Sequence, residues 1–208
     1  MKMSVRNMSA DLKIDVCQLS PMKCGTTWLS SMVAQHPELC AFNLNSENFD
    51  VLDKLVEKIG KELTGNQLLY ARRNINPRHE LASRLYKHND EMKFIVLLRN
   101  PLDRLISHWI HHVIKMNAIA KPLHASIDVQ KSLFEIRYDI NEYIQAKRFD
   151  LRKMPPFLLK SLYYQNLDEY FKLFSPSQFL VIPAESLFIQ PLKYLRLIFD
   201  FCGAPELE

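Results

Sequence analysis

Apolar residues along the chain fall into short continuous runs separated by stripes at helical spacing. "KIDVCQLS" (13–20) is compact and largely apolar, and predicts a short buried strand. It runs into the polar turn 21–25, after which Trp28, Leu29, Met32 and Val33 recur on one helical face. "HPEL" (36–39) ends that helix, because proline disfavours helix in the residue before it. Residues 50–63 predict a second helix, with Val51, Leu52, Leu55, Val56 and Ile59 on one side. "MKFIVLL" (92–98) is the clearest strand, continuous and apolar as a central parallel strand is. "RNPLDRLISHWIHHVI" follows at once. Asn100 suits a helix cap, Pro101 its first turn, and Asp103 its positive end. Leu102, Leu105, Ile106, Trp109, Ile110, Val113 and Ile114 then form an apolar stripe expected to face the core.

Residues 115–156 are polar and basic, most of all "QAKRFDLRKMPP" (145–156). Tyr163, Leu167, Tyr170, Phe171 and Phe174 mark a further amphipathic helix. It stops at "SPS", and "QFLVIP" (178–183) reads as a short strand. A last helix carries Leu195, Ile198, Phe199 and Cys202 on one face. Strands alternating with helices predict an α/β fold of three layers, a parallel sheet flanked by helices on both sides. Sites in such sheets lie beyond the carboxyl ends of the strands. The turns 21–27 and 99–107 both lie there.

Composition narrows this picture in three ways. At 208 residues, 48% apolar and 24% charged, one domain over 1–208 with a substantial core is expected. A net charge of +4 suits an anionic ligand but falls short of a protein that coats nucleic acid. Cys17, Cys24, Cys40 and Cys202 are scattered without zinc spacing, which favours reduced thiols and a cytoplasmic location. No apolar run reaches the roughly 18 residues of a membrane span, and the first residues lack a signal-peptide core.

The stretch "LSPMKCGTTWLSSM" (19–32) spends one of only four glycines on a strand–turn–helix junction. Free N–H groups and the helix dipole favour a tetrahedral anion there. Gly25 lets the backbone approach closely, Thr26 and Thr27 offer hydroxyls, and Lys23 brings a mobile charge. A plain helix start, with Thr26 as cap and Lys23 solvated, is the competing reading. The triphosphatase loop GxxxxGK[ST] does not fit, since the lysine precedes the glycine and Arg99 stands where that class has a magnesium-binding aspartate. Arg99 leaves the end of a buried strand, where an unpaired guanidinium is expensive. Ser107 lies eight residues on (107 − 99), sharing a face with Asn100, Asp103 and Arg104. Arg99 and Ser107 suit a second anionic group; alternatively Arg99 pairs with Asp103 and Ser107 is solvated.

"PMKCGTTWL" resembles the 5′-phosphosulfate loop of sulfotransferases, and "FIVLLRNPLDRLISHW" their 3′-phosphate strand and helix. "SLYYQNLDEYFKLFSPSQFLVIPAESLFIQPLKYLRLIFDFCGAP" is similar to the C-terminal part of the same family, most of all its glycan (heparan-type) and bacterial members. The resemblance implies a P-loop-like sulfotransferase fold and 3′-phosphoadenosine 5′-phosphosulfate (PAPS) as co-substrate, with no metal. It implies that Lys23, Cys24, Gly25, Thr26, Thr27 and Trp28 hold the phosphosulfate, with Lys23 stabilising the leaving oxygen. Arg99 and Ser107 fall at the 3′-phosphate positions, and Ser161 at a further cofactor contact. The implied reaction is sulfuryl transfer to a hydroxyl or amine of a small molecule or glycan.

Departures from the pattern are local. Family members place a carboxylate or histidine base near the end of the second strand, glycan sulfotransferases often a glutamate shortly after "HP". Here "HPELCAFNLNSENFD" offers Glu47, about two residues late, as that base or as a surface carboxylate, and His36 reads as structural. "YARRNINP" offers Arg72 and Arg73 where a lysine is usual, as acceptor or cofactor contacts or as a solvated pair. His108, His111 and His112 have helical spacing but no carboxylate partner for a metal. Lys147, Arg148, Arg152 and Lys153 suit an acidic glycan or a solvated face. Members usually continue past "FCGAPE" into a basic loop covering the cofactor, and this sequence stops at Glu208. A non-catalytic nucleotide- or glycan-binding protein with the same fold is therefore the main alternative, and a nucleotide kinase a distant third.

Overall fold

The computed structural model describes residues 12–44, 52–63, 67–75, 80–115 and 160–204. Five strands, β1 (Val16–Ser20), β2 (Leu39–Asn43), β3 (Leu68–Asn74), β4 (Lys93–Leu98) and β5 (Phe179–Pro183), form a parallel sheet in the order β2-β3-β1-β4-β5. The helices are α1 (Thr26–Val33), α2 (Leu52–Gly60), α3 (Glu80–His88), α4 (Pro101–Lys115), α5 (Tyr163–Leu173), α6 (Ala184–Ile189) and α7 (Pro191–Cys202).

The period of two along each strand divides the core into two clusters. Cys17 and Leu19, Leu69 and Ala71, and Phe94 and Val96 face one side, where Val56 of α2, Leu81 and Leu85 of α3, and Leu167 and Tyr170 of α5 cover them. Val16, Tyr70, Ile95 and Leu97 face the other, under Leu29 and Val33 of α1, Leu187 of α6, and Ile198 and Cys202 of α7. The three layers expected from the alternation are present.

Two elements bordering the site carried no clear pattern. β2 is an edge strand, buried at Leu39 and exposed by Asn43, so it never shows a continuous apolar run. β3 begins "LLYA" and ends "RRN", because its far end leaves the core. α3 and the six-residue α6 were likewise not anticipated; both are short.

α4 departs from its expected orientation. Leu105 is buried, but Leu102 is 68% exposed, and Ile106 and Ile110 are exposed as well; the side chains of Trp109, Val113 and Ile114 lie outside the described residues. The buried face instead carries Arg104, at 0% exposure, and His108. Hydrogen bonds decide this: Arg104 finds partners within the protein that offset its desolvation, so its face turns inward. Among the described residues, no helix is long and apolar enough to cross a membrane.

The chain proceeds from β1 to β2 and β3 on one side of the sheet, and to β4 and β5 on the other. The carboxyl end of β1 is thus a topological switch point, where crevices open in such sheets.

Phe94 is the aromatic hub of the first cluster, with ring centroids of Phe174 and Phe179 at 4.6 and 5.0 Å and Tyr170 at 5.8 Å. Phe94→Ala is expected to cost about 3–5 kcal/mol, read from the midpoint of urea unfolding. A change below about 1 kcal/mol would show that the hub collapses around the gap.

Candidate functional site

The turn after β1 is built on two residues with left-handed backbone, Lys23 (φ 72) and Gly25 (φ 83). Gly25 itself occupies the cap position of α1, so Thr26 does not cap the helix, and no side chain caps the N–H groups of its first turn. Those N–H groups remain open to solvent or to an anion. From below, the wholly buried Gln18 donates through Nε2 to the Thr26 carbonyl at 3.1 Å. Its Oε1 accepts from the Tyr70 hydroxyl at 3.0 Å. From above, Phe188 closes on Gly25 and packs against Trp28, their ring centroids 5.5 Å apart.

The second turn meets the first directly. Arg99 donates through Nη1 to the Lys23 carbonyl at 3.3 Å. The Tyr163 hydroxyl, at the start of α5, donates to the Arg99 carbonyl at 2.7 Å and is hydrogen-bonded to the Cys24 thiol. Burial pushes the Cys24 pKa up to about 11, against the opposing pull of Arg104 and that phenol. The thiol is therefore protonated and inert, a packing group between two cationic side chains. Burial likewise pushes Tyr163 up to about 12, so it stays a donor.

Asn100 caps α4 as its sequence predicts, with Oδ1 accepting from the N–H groups of Leu102 and Asp103. Its own N–H donates to Glu185 Oε1 at 2.9 Å, which ties α6 to the end of β4. That bond, the N–H of Glu185 itself and the charge of Arg99 hold the Glu185 carboxyl below its ordinary range. One turn into α4, Arg104 donates through Nε to Ser161 Oγ at 2.8 Å, and Ser161 in turn reaches the Pro101 carbonyl at 3.4 Å. Arg104 Nη1 lies 3.3 Å from His108 Nδ1. A guanidinium can only donate, so this nitrogen accepts and the imidazole is neutral in that arrangement. Ser107 is half-buried on the same helix, its hydroxyl without a hydrogen-bond partner among the described residues.

Lys23, Arg99, Ser161 and the 24–28 turn are therefore gathered at the carboxyl ends of β1 and β4, with Ser107 further along α4. Glu47 and the basic cluster Lys147, Arg148, Arg152 and Lys153 lie outside the described residues. His36 is structural as expected: it is buried, accepts from the Glu38 N–H and packs on Phe199 at 4.6 Å.

The arginine pair in "YARRNINP" divides. Arg72 crosses from β3 and donates to Thr27 Oγ1 at 3.2 Å, joining the site, whereas Arg73 donates to the Leu44 carbonyl. Parallel pairing of β1 with β3 is what brings Arg72 there. Arg104 was not legible as a site residue, because it sits opposite an apolar stripe and reads as a surface charge. Lys23, Arg72 and Arg99 have no ion-pair partner among the described residues.

This arrangement, a cationic turn between a strand and a helix beside a second cationic strand end, has the chemistry that suits a phosphate or sulfate group. The sequence profile of the sulfotransferase domain matches residues 13–208, and the chain belongs to that family. No curated protein matches it at the sequence level. Among solved structures, a sulfotransferase from Alicyclobacillus acidocaldarius is 18% identical with a TM-score of 0.68, over 93% of this chain and 86% of that one. The sulfotransferase domain of the curacin biosynthetic pathway is 16% identical with a TM-score of 0.56, over 95% and 76%. Mouse SULT7A1 complexed with PAP is 15% identical with a TM-score of 0.59, over 97% of this chain and 62% of its own. These likenesses are of fold.

A Cβ on Gly25 would lie 2.6 Å from Phe188 Cζ, in a conformation that itself disfavours a side chain. Gly25→Ala is expected to destabilise by about 1–3 kcal/mol in urea unfolding. Adding Phe188→Ala should relieve the steric part and leave the backbone part. Full recovery in the double variant would show that the backbone angle costs nothing.

Because the Glu185 carboxyl is held low, its contribution is present above the ordinary carboxylate range and disappears as pH falls through its folded value. Glu185→Gln should thus lower Tm at neutral pH and match the unaltered protein in strong acid. An equal gap at both pH values would contradict the assignment.

Proposed function

We propose that the chain is a PAPS-dependent sulfotransferase that moves the sulfuryl group to a hydroxyl or amine, with glycans among its acceptor classes. The observation that carries this reading is the contact between Arg99 and the Lys23 carbonyl, which sets two cationic turns side by side. One small nucleotide with an anionic group at each end would engage both turns. The residues suit such a ligand: three cations without ion-pair partners among the described residues, and a helix start without a side-chain cap. Support also comes from mouse SULT7A1, which has a similar fold and was crystallised with PAP.

In this reading Lys23 and the N–H groups of the 24–27 turn grip the phosphosulfate, with Thr26 and Thr27 at its edge and Trp28 behind. Arg72 steadies the Thr27 hydroxyl from the neighbouring strand. Arg99 and Ser107 take the 3′-phosphate, and Arg104 holds Ser161 ready as a further contact. PAPS supplies the activated sulfuryl group. Lys23 and the helix-end donors meet the charge that develops on the leaving oxygen, where preorganised donors act most strongly. Glu47 is the proposed base for the acceptor proton.

Calorimetric titration with adenosine 3′,5′-bisphosphate (PAP) tests the binding half. Charge-assisted hydrogen bonds are worth about 1.5–3 kcal/mol, so Lys23→Ala and Arg99→Ala should each weaken binding about 10- to 100-fold. Saturable binding with sulfate transfer to a panel of sugars, phenols and amines supports the proposal. Binding without transfer to any acceptor would turn it towards a non-catalytic nucleotide-binding protein, and no binding at all would refute it.

A further inference from the structure

Lys160 lies immediately before Ser161, far from either strand turn in sequence, yet its Nζ is 3.7 Å from Met22 Sδ. Met22 is the residue directly before Lys23, so a second ammonium group stands beside the turn. The Lys160 side chain is half-buried. A thioether is a weak acceptor that does little to offset the desolvation of an ammonium. Lys160 has no ion-pair partner among the described residues. Arg104, wholly buried and bonded to the adjacent Ser161, adds a like charge nearby. Burial first, and then Arg104, lower the Lys160 pKa.

An ammonium in this position is costly while the turn is empty and favourable when an anion sits in it. Solvation alone would be served by a side chain pointing away from the loop. Lys160 reaches Met22 instead, directly beside Lys23 in the turn.

We propose that Lys160 is a second ammonium ligand for the 5′ anionic group held by the 21–27 turn, the phosphosulfate of the donor or the 5′-phosphate of the product. This assignment rests on the reading of the turn as a nucleotide site. It gives the 5′ end two lysines from distant parts of the chain, so that α5 and the β1 turn are drawn together by the ligand. Lys160 is a binding residue here, and the leaving-group role stays with Lys23.

The test titrates the full chain with three probes: PAP, adenosine 5′-phosphate and adenosine 3′-phosphate. Lys160→Ala is expected to weaken PAP and adenosine 5′-phosphate by the same factor, about 10-fold, and to leave adenosine 3′-phosphate unchanged. Lys160→Arg should restore most of the loss, and Lys160→Met, which keeps the stem, should not. Arg99→Ala should show the opposite pattern, losing PAP and adenosine 3′-phosphate. Thermal unfolding of each variant separates binding from folding, and Lys160→Gln replaces the alanine variant if that one does not fold. Unchanged affinities in Lys160→Ala, or a loss that follows the 3′-phosphate, would overturn the proposal. If the unaltered chain binds none of the three probes, the nucleotide reading itself fails, and Lys160 with it.

Discussion

Everything at this site depends on the parallel pairing of β1 with β4, which aligns Val16 with Lys93 and Gln18 with Ile95. Parallel strands end on the same edge of the sheet, so their following turns must leave the core side by side. The register then brings the Arg99 guanidinium within hydrogen-bonding distance of the Lys23 carbonyl. Tyr163 locks the joint from a third element, through the Arg99 carbonyl and the Cys24 thiol. A shift of β4 by one residue would exchange its two faces, sending Phe94 and Val96 to the wrong cluster. Core packing and site geometry are thus fixed by one register.

How much of this could be read from residues alone follows from how burial writes itself into sequence. β4 is covered on both faces, so "MKFIVLL" is unmistakable. The caps and turns were legible too, because Asn100, Pro101 and Gly25 answer local backbone demands. β2 and β3 were obscure for opposite reasons, the first because its burial fades towards Asn43, the second because "RRN" is the part that enters the site. The orientation of α4 was misread because hydrophobicity is a proxy for burial, and the proxy fails where a buried cation has partners. Arg104 is bonded to Ser161, 57 residues away in sequence, and no local pattern reports a partner at that range.

Most of the buried polar groups among the described residues are gathered in one region. Gln18, Ser20, Thr26, Arg104 and His108 lie at or beneath the carboxyl edge of β1 and β4 or on α4 behind it, while His36 and Asn166 lie elsewhere. Each would cost about 1–3 kcal/mol if left without a partner. Ser20 accepts from the Leu97 N–H, Gln18 links Tyr70 to Thr26, and Arg104 joins Ser161 to His108. Hydrogen bonds satisfied in this way hold the turn in place from within the protein.

The outermost cations are treated differently, and the contrast is informative. Arg104 is buried and hydrogen-bonded, whereas around the turn Arg72 reaches a hydroxyl, Arg99 a carbonyl and Lys160 a thioether, and neither these three nor Lys23 has an ion-pair partner among the described residues. Glu185 accepts from the Asn100 N–H and forms no close ion pair with Arg99, although the Arg99 charge acts on it. If these cations served stability, a carboxylate within reach would be the cheaper arrangement, since like charges held together raise the energy of the folded chain. Without a carboxylate partner among the described residues, these cations suit an anionic ligand better than they serve the stability of the fold. On the proposed reading, the internal network carries the stability and the cations serve binding.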